Sequence, residues 1–111
     1  MSHFAPLPDP PYYAVIFTAM LSDDDAGYSE TAAKMRRLAA RQPGFIGVEA
    51  TRGADRLGIT VSYWEDEEAV KGWKQASEHL LAQKIGKERW YSHYTLRVAK
   101  IERGYDGPKG R

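Results

Sequence analysis

The order of patterned segments along this chain predicts an α+β fold of the ferredoxin-like kind, βαββαβ, with a four-stranded antiparallel sheet and two helices on one face. Three observations carry that expectation. Four runs have the length and composition of strands, the first of them dense in Val, Ile, Phe, Tyr and Thr. Two amphipathic stretches separate these runs, one after the first strand and one after the third. The whole chain is 111 residues, enough for one domain, and it contains no internal repeat or low-complexity run that competes with this order.

Residues 1–11, MSHFAPLPDPP, hold four of the six prolines and form an extended, loosely held arm in this reading. Tyr12 to Leu21 is the first, buried strand. The polar run SDDDAGYSE supplies turn and capping residues before a helix over 26–41, where Tyr28, Ala32, Met35, Leu38 and Ala39 share one stripe. Lys34, Arg36, Arg37 and Arg41 face away from it, and Pro43-Gly44 stops it. Phe45 to Thr51 and Leu57 to Trp64 are the next two strands, joined across RGADR with Gly53 in the turn.

Asp66 is the expected N-cap of the second helix, with Glu67 and Glu68 in the first turn, where the helix dipole favours negative charge. That helix runs through Val70, Trp73, Leu80 and Leu81 to Gly86. Trp90 to Arg103 is the last strand, and the polar, glycine-rich end of the chain is a mobile tail. The expected organisation is an arm over 1–11, a domain over 12–105 and a flexible tail over 106–111.

Alternation along the strands bears on what covers the sheet. In the third strand Leu57, Ile59, Val61 and Tyr63 are the set suited to the helices, alternating with Gly58, Thr60, Ser62 and Trp64. In the first strand both sets are apolar: Tyr13, Val15, Phe17 and Ala19 on one side, Tyr12, Ala14, Ile16 and Met20 on the other. A sheet face of that kind invites association, so a homodimer joined through sheet faces is expected.

Composition narrows the function classes. Sixteen basic residues balance fifteen acidic ones, which leaves no basic stripe to follow a phosphate backbone, and no nucleic-acid partner is expected. The absence of cysteine excludes disulfides, thiolate catalysis and Cys-ligated zinc. No run approaches the ~18 apolar residues of a membrane span, and no basic region precedes the apolar run at Tyr12, so a cytoplasmic protein without a membrane partner is the expectation. Asp23, Asp24 and Asp25 lack the alternating oxygens of a calcium loop, and no metal site is expected. No phosphate loop, HExxH or Ser-His-Asp pattern is present.

The segments PGFIGVEATRG, ITVSYWEDEEAVKGWKQASEHLLAQKIG and WYSHYTLRVAKIERGY resemble the antibiotic biosynthesis monooxygenase family of the dimeric α/β-barrel superfamily. The resemblance spans about residues 12–105, and its most specific part is Tyr63-Trp64, Trp73, His79, Ala82-Gln83, Gly86 and Trp90-Tyr91 in order. It implies oxidation of flat phenolic, anthrone-like or other small aromatic molecules by O2 with no cofactor, the substrate itself supplying the electrons. Such a protein binds the molecule, stabilises its anion and excludes water. A related branch degrades haem with a Trp and a His ten residues apart and an Asn on the first strand. Here Trp73 is followed ten residues on by Gln83, and YYAVIFTAM has no asparagine, which argues against haem degradation. The alternatives are a metabolite-binding or scaffold dimer without chemistry, and a proton-transfer isomerase.

The candidate residues follow from both readings. Trp73 and Phe17 are expected in the wall of a cleft between sheet and second helix, Trp73 serving equally as core. His79 lies six residues beyond Trp73, about 240° away on a continuous helix, so the two converge only if the helix breaks near Ala76-Ser77. With that break His79 is a candidate base; without it, a surface histidine. His93 is the other candidate base, alternating with Tyr91, Thr95 and Arg97, and Arg97 is a candidate oxyanion partner or part of a polar rim. Trp64, Trp90 and Tyr91 suit packing anchors, with Trp64 also a candidate for contact with substrate.

Overall fold

A computed structural model describes residues 4–84 and 90–108. The elements follow in the expected order: β1 Tyr12–Leu21, α1 Tyr28–Ala40, β2 Phe45–Arg52, β3 Leu57–Trp64, α2 Glu67–Lys84 and β4 Tyr91–Ile101. The sheet runs β2-β3-β1-β4, every neighbouring pair antiparallel. The proposed stop at Gly86, His3 of the arm and the last three residues of the tail lie outside the described residues.

Local chemistry sets the element ends. α1 starts at Tyr28, two residues later than expected, because Gly27 adopts a left-handed backbone with φ 82° at its N-cap. α2 begins as anticipated: the Asp66 carboxylate accepts the Ala69 N–H at 2.8 Å, and Glu67 and Glu68 occupy the first turn. Between α1 and β2 the chain turns through Gly44, also left-handed, where a Cβ would lie only 2.5 Å from that of Ala69. The Gly44 carbonyl accepts the Glu65 N–H at 2.8 Å, so this turn is fastened to the start of α2.

Register settles which strand residues meet the helices. Tyr13 stands opposite Trp64, Val15 opposite Ser62, Phe17 opposite Thr60 and Ala19 opposite Gly58. Trp64 is fully buried and packs with Val15 and Ala39. The helix-facing set of β3 is therefore Gly58, Thr60, Ser62 and Trp64, the reverse of the sequence expectation. Leu57 and Ile59 are 39% and 40% exposed on the outer face. The apolar-set-inward rule fails because both sheet faces are rich in apolar groups, while the inner set is small and polar except for Trp64.

Trp64 is the centre of the core. Its ring stacks on Trp73 of α2 at 5.5 Å with 23° between planes, and Phe45 meets it edge-on at 5.5 Å. The indole N–H donates to Ser62 Oγ at 2.9 Å, satisfying a buried donor. On the outer face the arm is fastened to β2: the Ala5 N–H donates to Glu49 Oε2 at 3.0 Å, and Tyr63 Oη donates to Oε1 of the same carboxylate at 2.7 Å. Gly47 lets Ala5 approach this closely.

Trp64→Ala removes the packing of Trp73 and Phe45 together. A loss of about 3–5 kcal/mol in urea denaturation is expected, with a far smaller loss for Leu57→Ala, whose side chain is exposed on the outer face.

Candidate functional site

Trp64 holds α2 away from the sheet at one end, and small residues fail to fill the space beyond it. Ala32 of α1, Ala50 of β2 and Thr60 of β3 face a cavity of about 150 Å3. Val15, Phe17, Val48 and Met35 make much of its surface apolar, and Trp73 closes it on the α2 side. A space of that size in a protein interior holds a single six-membered ring.

The other end is aromatic and polar. Tyr28, Trp90 and Tyr91 line it, the Tyr28 ring meeting both neighbours edge-on at 5.8 Å. The Trp90 indole N–H donates to the Ala26 carbonyl at 2.9 Å, fixing the loop ahead of α1. Arg52 Nη2 donates to Tyr28 Oη at 3.3 Å, and the guanidinium lies 5.6 Å from the ring centroid. Gly58 makes this possible, because a Cβ there would collide with the Arg52 guanidinium.

Arg52 Nη1 also donates to the carbonyls of Ala19, at 3.4 Å, and Arg56. Arg56, at φ 74°, in turn pairs with Asp25 at 2.6 Å and donates to the Ser22 carbonyl at 2.6 Å. The β2–β3 turn is thus bound to the loop that delivers Tyr28.

Burial, foremost, raises the Tyr91 phenol above its ordinary range, and the neighbouring Tyr28 phenol adds to the effect while Arg52 opposes it. Tyr91 therefore stays a neutral hydrogen-bond donor at physiological pH. On the outer face Tyr63 is likewise raised, by burial and then by its hydrogen bond to Glu49.

Of the residues singled out from sequence, Phe17 and Trp73 line the cavity. Trp64 lies behind Trp73 and supports it. His79 does not line it, because α2 continues unbroken from Glu67 to Lys84. Ser77 Oγ donates back to the Lys74 carbonyl at 3.2 Å within the helix, so it caps no new segment, and His79 is exposed. His93 and Arg97 stand opposite Met20 and Ile16 on the outer sheet face, and Arg97 Nη1 donates to Thr95 Oγ1 at 3.1 Å.

The expected alternation of Tyr91 with His93 is interrupted. Leu21 pairs with Tyr91 and Met20 with His93, leaving Ser92 as an extra residue in a bulge. Tyr91 consequently turns toward the cavity while His93 turns outward.

Polar side chains at the cavity escaped the sequence reading: Tyr28 and Tyr91 appeared only as packing residues, Arg36 as part of a solvated face, Thr60 and Ser62 on the other side of the sheet, and Thr31 and the supporting Arg52 not as candidates at all. Arg36 was detectable, since it falls four residues after Ala32 and three before Ala39, on the edge of the same helical stripe. Among the described residues no group of three or more His, Cys, Asp or Glu side chains is placed to hold a metal ion, and no helix is long and apolar enough to cross a membrane.

A ferredoxin-like α+β chain with an aromatic cavity between sheet and helices is thus defined by fold and site. The chain belongs to the antibiotic biosynthesis monooxygenase family, which it matches over residues 11–85. It is 50% identical over 103 residues to the uncharacterized protein YqjZ of Bacillus subtilis, covering 93% of this chain and 90% of that one. It is 29% identical over 92 residues to the jasmonate monooxygenase ABM of Pyricularia oryzae, covering 80% of this chain but 43% of that protein.

Among solved structures, the cofactor-independent oxygenase SnoaB of Streptomyces nogalater superposes with TM-score 0.66 at 17% identity, covering 90% of this chain and all (100%) of the other. A protein of unknown function from Nitrosomonas europaea gives TM-score 0.69 at 11% identity, covering 88% and 96%. At such identities the likeness establishes the fold.

The raised phenols have a signed consequence. A tyrosine whose folded pKa exceeds its unfolded value near ~10 stabilises the fold fully below that pH, and the contribution disappears as pH climbs through the folded value. In ultraviolet titration of tyrosinate, Tyr63 and Tyr91 should resist ionisation until alkaline unfolding. Tyr63→Phe and Tyr91→Phe should each remove one resistant group.

Proposed function

We propose that this protein is a cofactor-independent monooxygenase whose substrate is a small, flat, largely apolar molecule with phenol or enol character. The observation that carries the reading is the cavity itself, one ring in size, walled by Trp73 and Phe17. Family membership and the likeness to an oxygenase described as cofactor-independent support the reaction class. The cavity volume favours single-ring substrates over the anthrone-like molecules that the sequence resemblance suggests.

In this chemistry the ionised substrate gives its electrons to O2. One oxygen atom forms a new C=O at a ring carbon, and the other leaves as water with the hydrogen of that carbon and the hydrogen of the phenol hydroxyl. A phenol and O2 thereby yield a quinone and H2O, with all four electrons drawn from the substrate. The described residues lining the cavity include no histidine or carboxylate. The reading is therefore that the protein captures a substrate already ionised in solution, holds it flat against Trp73 and shields its anion from water.

Oxygen uptake with hydroquinone-type substrates tests this. The wild type should exceed the buffer rate, and Trp73→Ala should lose about tenfold or more in kcat/KM, in line with removal of an aromatic wall. The pH midpoint of kcat/KM should move with the pKa of each substrate. A midpoint that stays near ~6.5 for every substrate and vanishes in His79→Ala would instead restore His79 as the base.

The missing carboxylate and histidine also favour a second reading over a proton-transfer isomerase: a metabolite-binding protein without chemistry. Ring binding with no oxygen uptake for any such compound selects it.

Association through sheet faces belongs to the same proposal. Leu57 and Ile59 are exposed on the outer face beside Val61 and Ile16, and a second copy would cover them. Light scattering should report twice the 12.5 kDa chain mass, and Ile59→Lys should give the single-chain mass. A wild-type particle of one chain rejects the dimer.

A further inference from the structure

We propose that the edge-on Tyr28–Tyr91 pair, backed by Arg52, is an oxyanion-binding end of the cavity, so that a single-ring enolate or phenolate enters with its oxygen toward the phenols and its apolar edge on Trp73. This rests on the cavity being a ligand site, as the monooxygenase reading requires. It adds the chemical class of ligand and the direction in which it lies.

Counting hydrogens leads to this assignment. Each phenol carries one hydroxyl hydrogen, and Tyr28 Oη already accepts from Arg52, which leaves its own hydrogen to be donated. Both side chains line the cavity, so a hydroxyl hydrogen can be donated to an occupant. Arg52 holds the pair from behind through Tyr28 Oη at 3.3 Å, and its own position is set by the Ala19 and Arg56 carbonyls. A guanidinium one hydrogen bond removed polarises the phenols in favour of a negatively charged acceptor.

The alternatives for this role lie elsewhere. Arg97 is on the outer face, and Arg36 lines the α1 side of the cavity with its residue largely exposed to water. Burial keeps Tyr91 protonated, which suits a donor and not a base.

The test compares two ring probes of nearly the same shape by quenching of tryptophan fluorescence: 4-nitrophenolate, above the pKa of the free phenol, and 4-nitrotoluene. The wild type should bind the phenolate about tenfold or more tighter, as expected for a hydrogen bond to a charged group. Tyr91→Phe and Arg52→Gln should each abolish that preference while leaving 4-nitrotoluene affinity unchanged, which also shows that the cavity is intact. Should either variant fail to fold, Tyr28→Phe, which keeps the ring, repeats the measurement.

Equal binding of both probes by the wild type, or a preference that survives these substitutions, overturns the oxyanion assignment and leaves the monooxygenase reading standing. Binding of neither probe overturns both.

Discussion

The stacking of Trp73 on Trp64 is the contact on which the rest of the molecule depends. A fully buried indole on a strand cannot be packed beneath a helix without lifting it. Toward α1 the sheet presents Thr60, Ser62 and Ala50, side chains too small to fill the space beside the stack. The cavity is the remainder of that mismatch. Interiors of this size ordinarily close such gaps, because each unfilled volume forfeits dispersion contacts. Here Gly44 is fastened to the start of α2, and the network joining Arg52, Arg56 and Asp25 fixes the loop that delivers Tyr28.

Much of the fold was legible in the chain. The element order, the stop at Pro43-Gly44 and the Asp66 cap each follow from local rules, and all appear in the structure. The facing of β3 was not legible. Alternation tells which residues share a face but not which face is covered, and hydrophobicity decides only when one face is wet. In this sheet Leu57, Ile59 and Val61 look outward, and the inner face carries the buried Ser62 and the half-buried Thr60. A pattern that breaks the usual rule in this way leaves large apolar groups on the outer face and small ones beside the cavity.

The site was legible in its walls and obscure in its polar groups. Phe17 and Trp73 are large apolar residues on elements whose inner side was correctly assigned. His79, His93 and Arg97 drew notice for their chemistry, yet each requires a departure from regular geometry to reach the cavity. The helix break that His79 needs is absent. The departure that does occur, at Ser92, brings in Tyr91 and leaves His93 outside. Arg52 belongs to the end of a strand beside a turn, and only a glycine opposite it reveals where its guanidinium goes. Such a role depends on a cross-strand partner that linear spacing does not display.

The extra residue in β4 also bears on how chains of this kind can vary in length. Because Leu21 faces Tyr91 and Met20 faces His93 with Ser92 between them, excising that serine would restore an ordinary ladder and keep both neighbours on their present sides. Losing a residue inside the regular run, such as Thr95, would exchange inside for outside over every position on one side of the gap. Insertions and deletions among relatives should accordingly gather at this bend, where the edge of the sheet tolerates them and the aromatic lining survives.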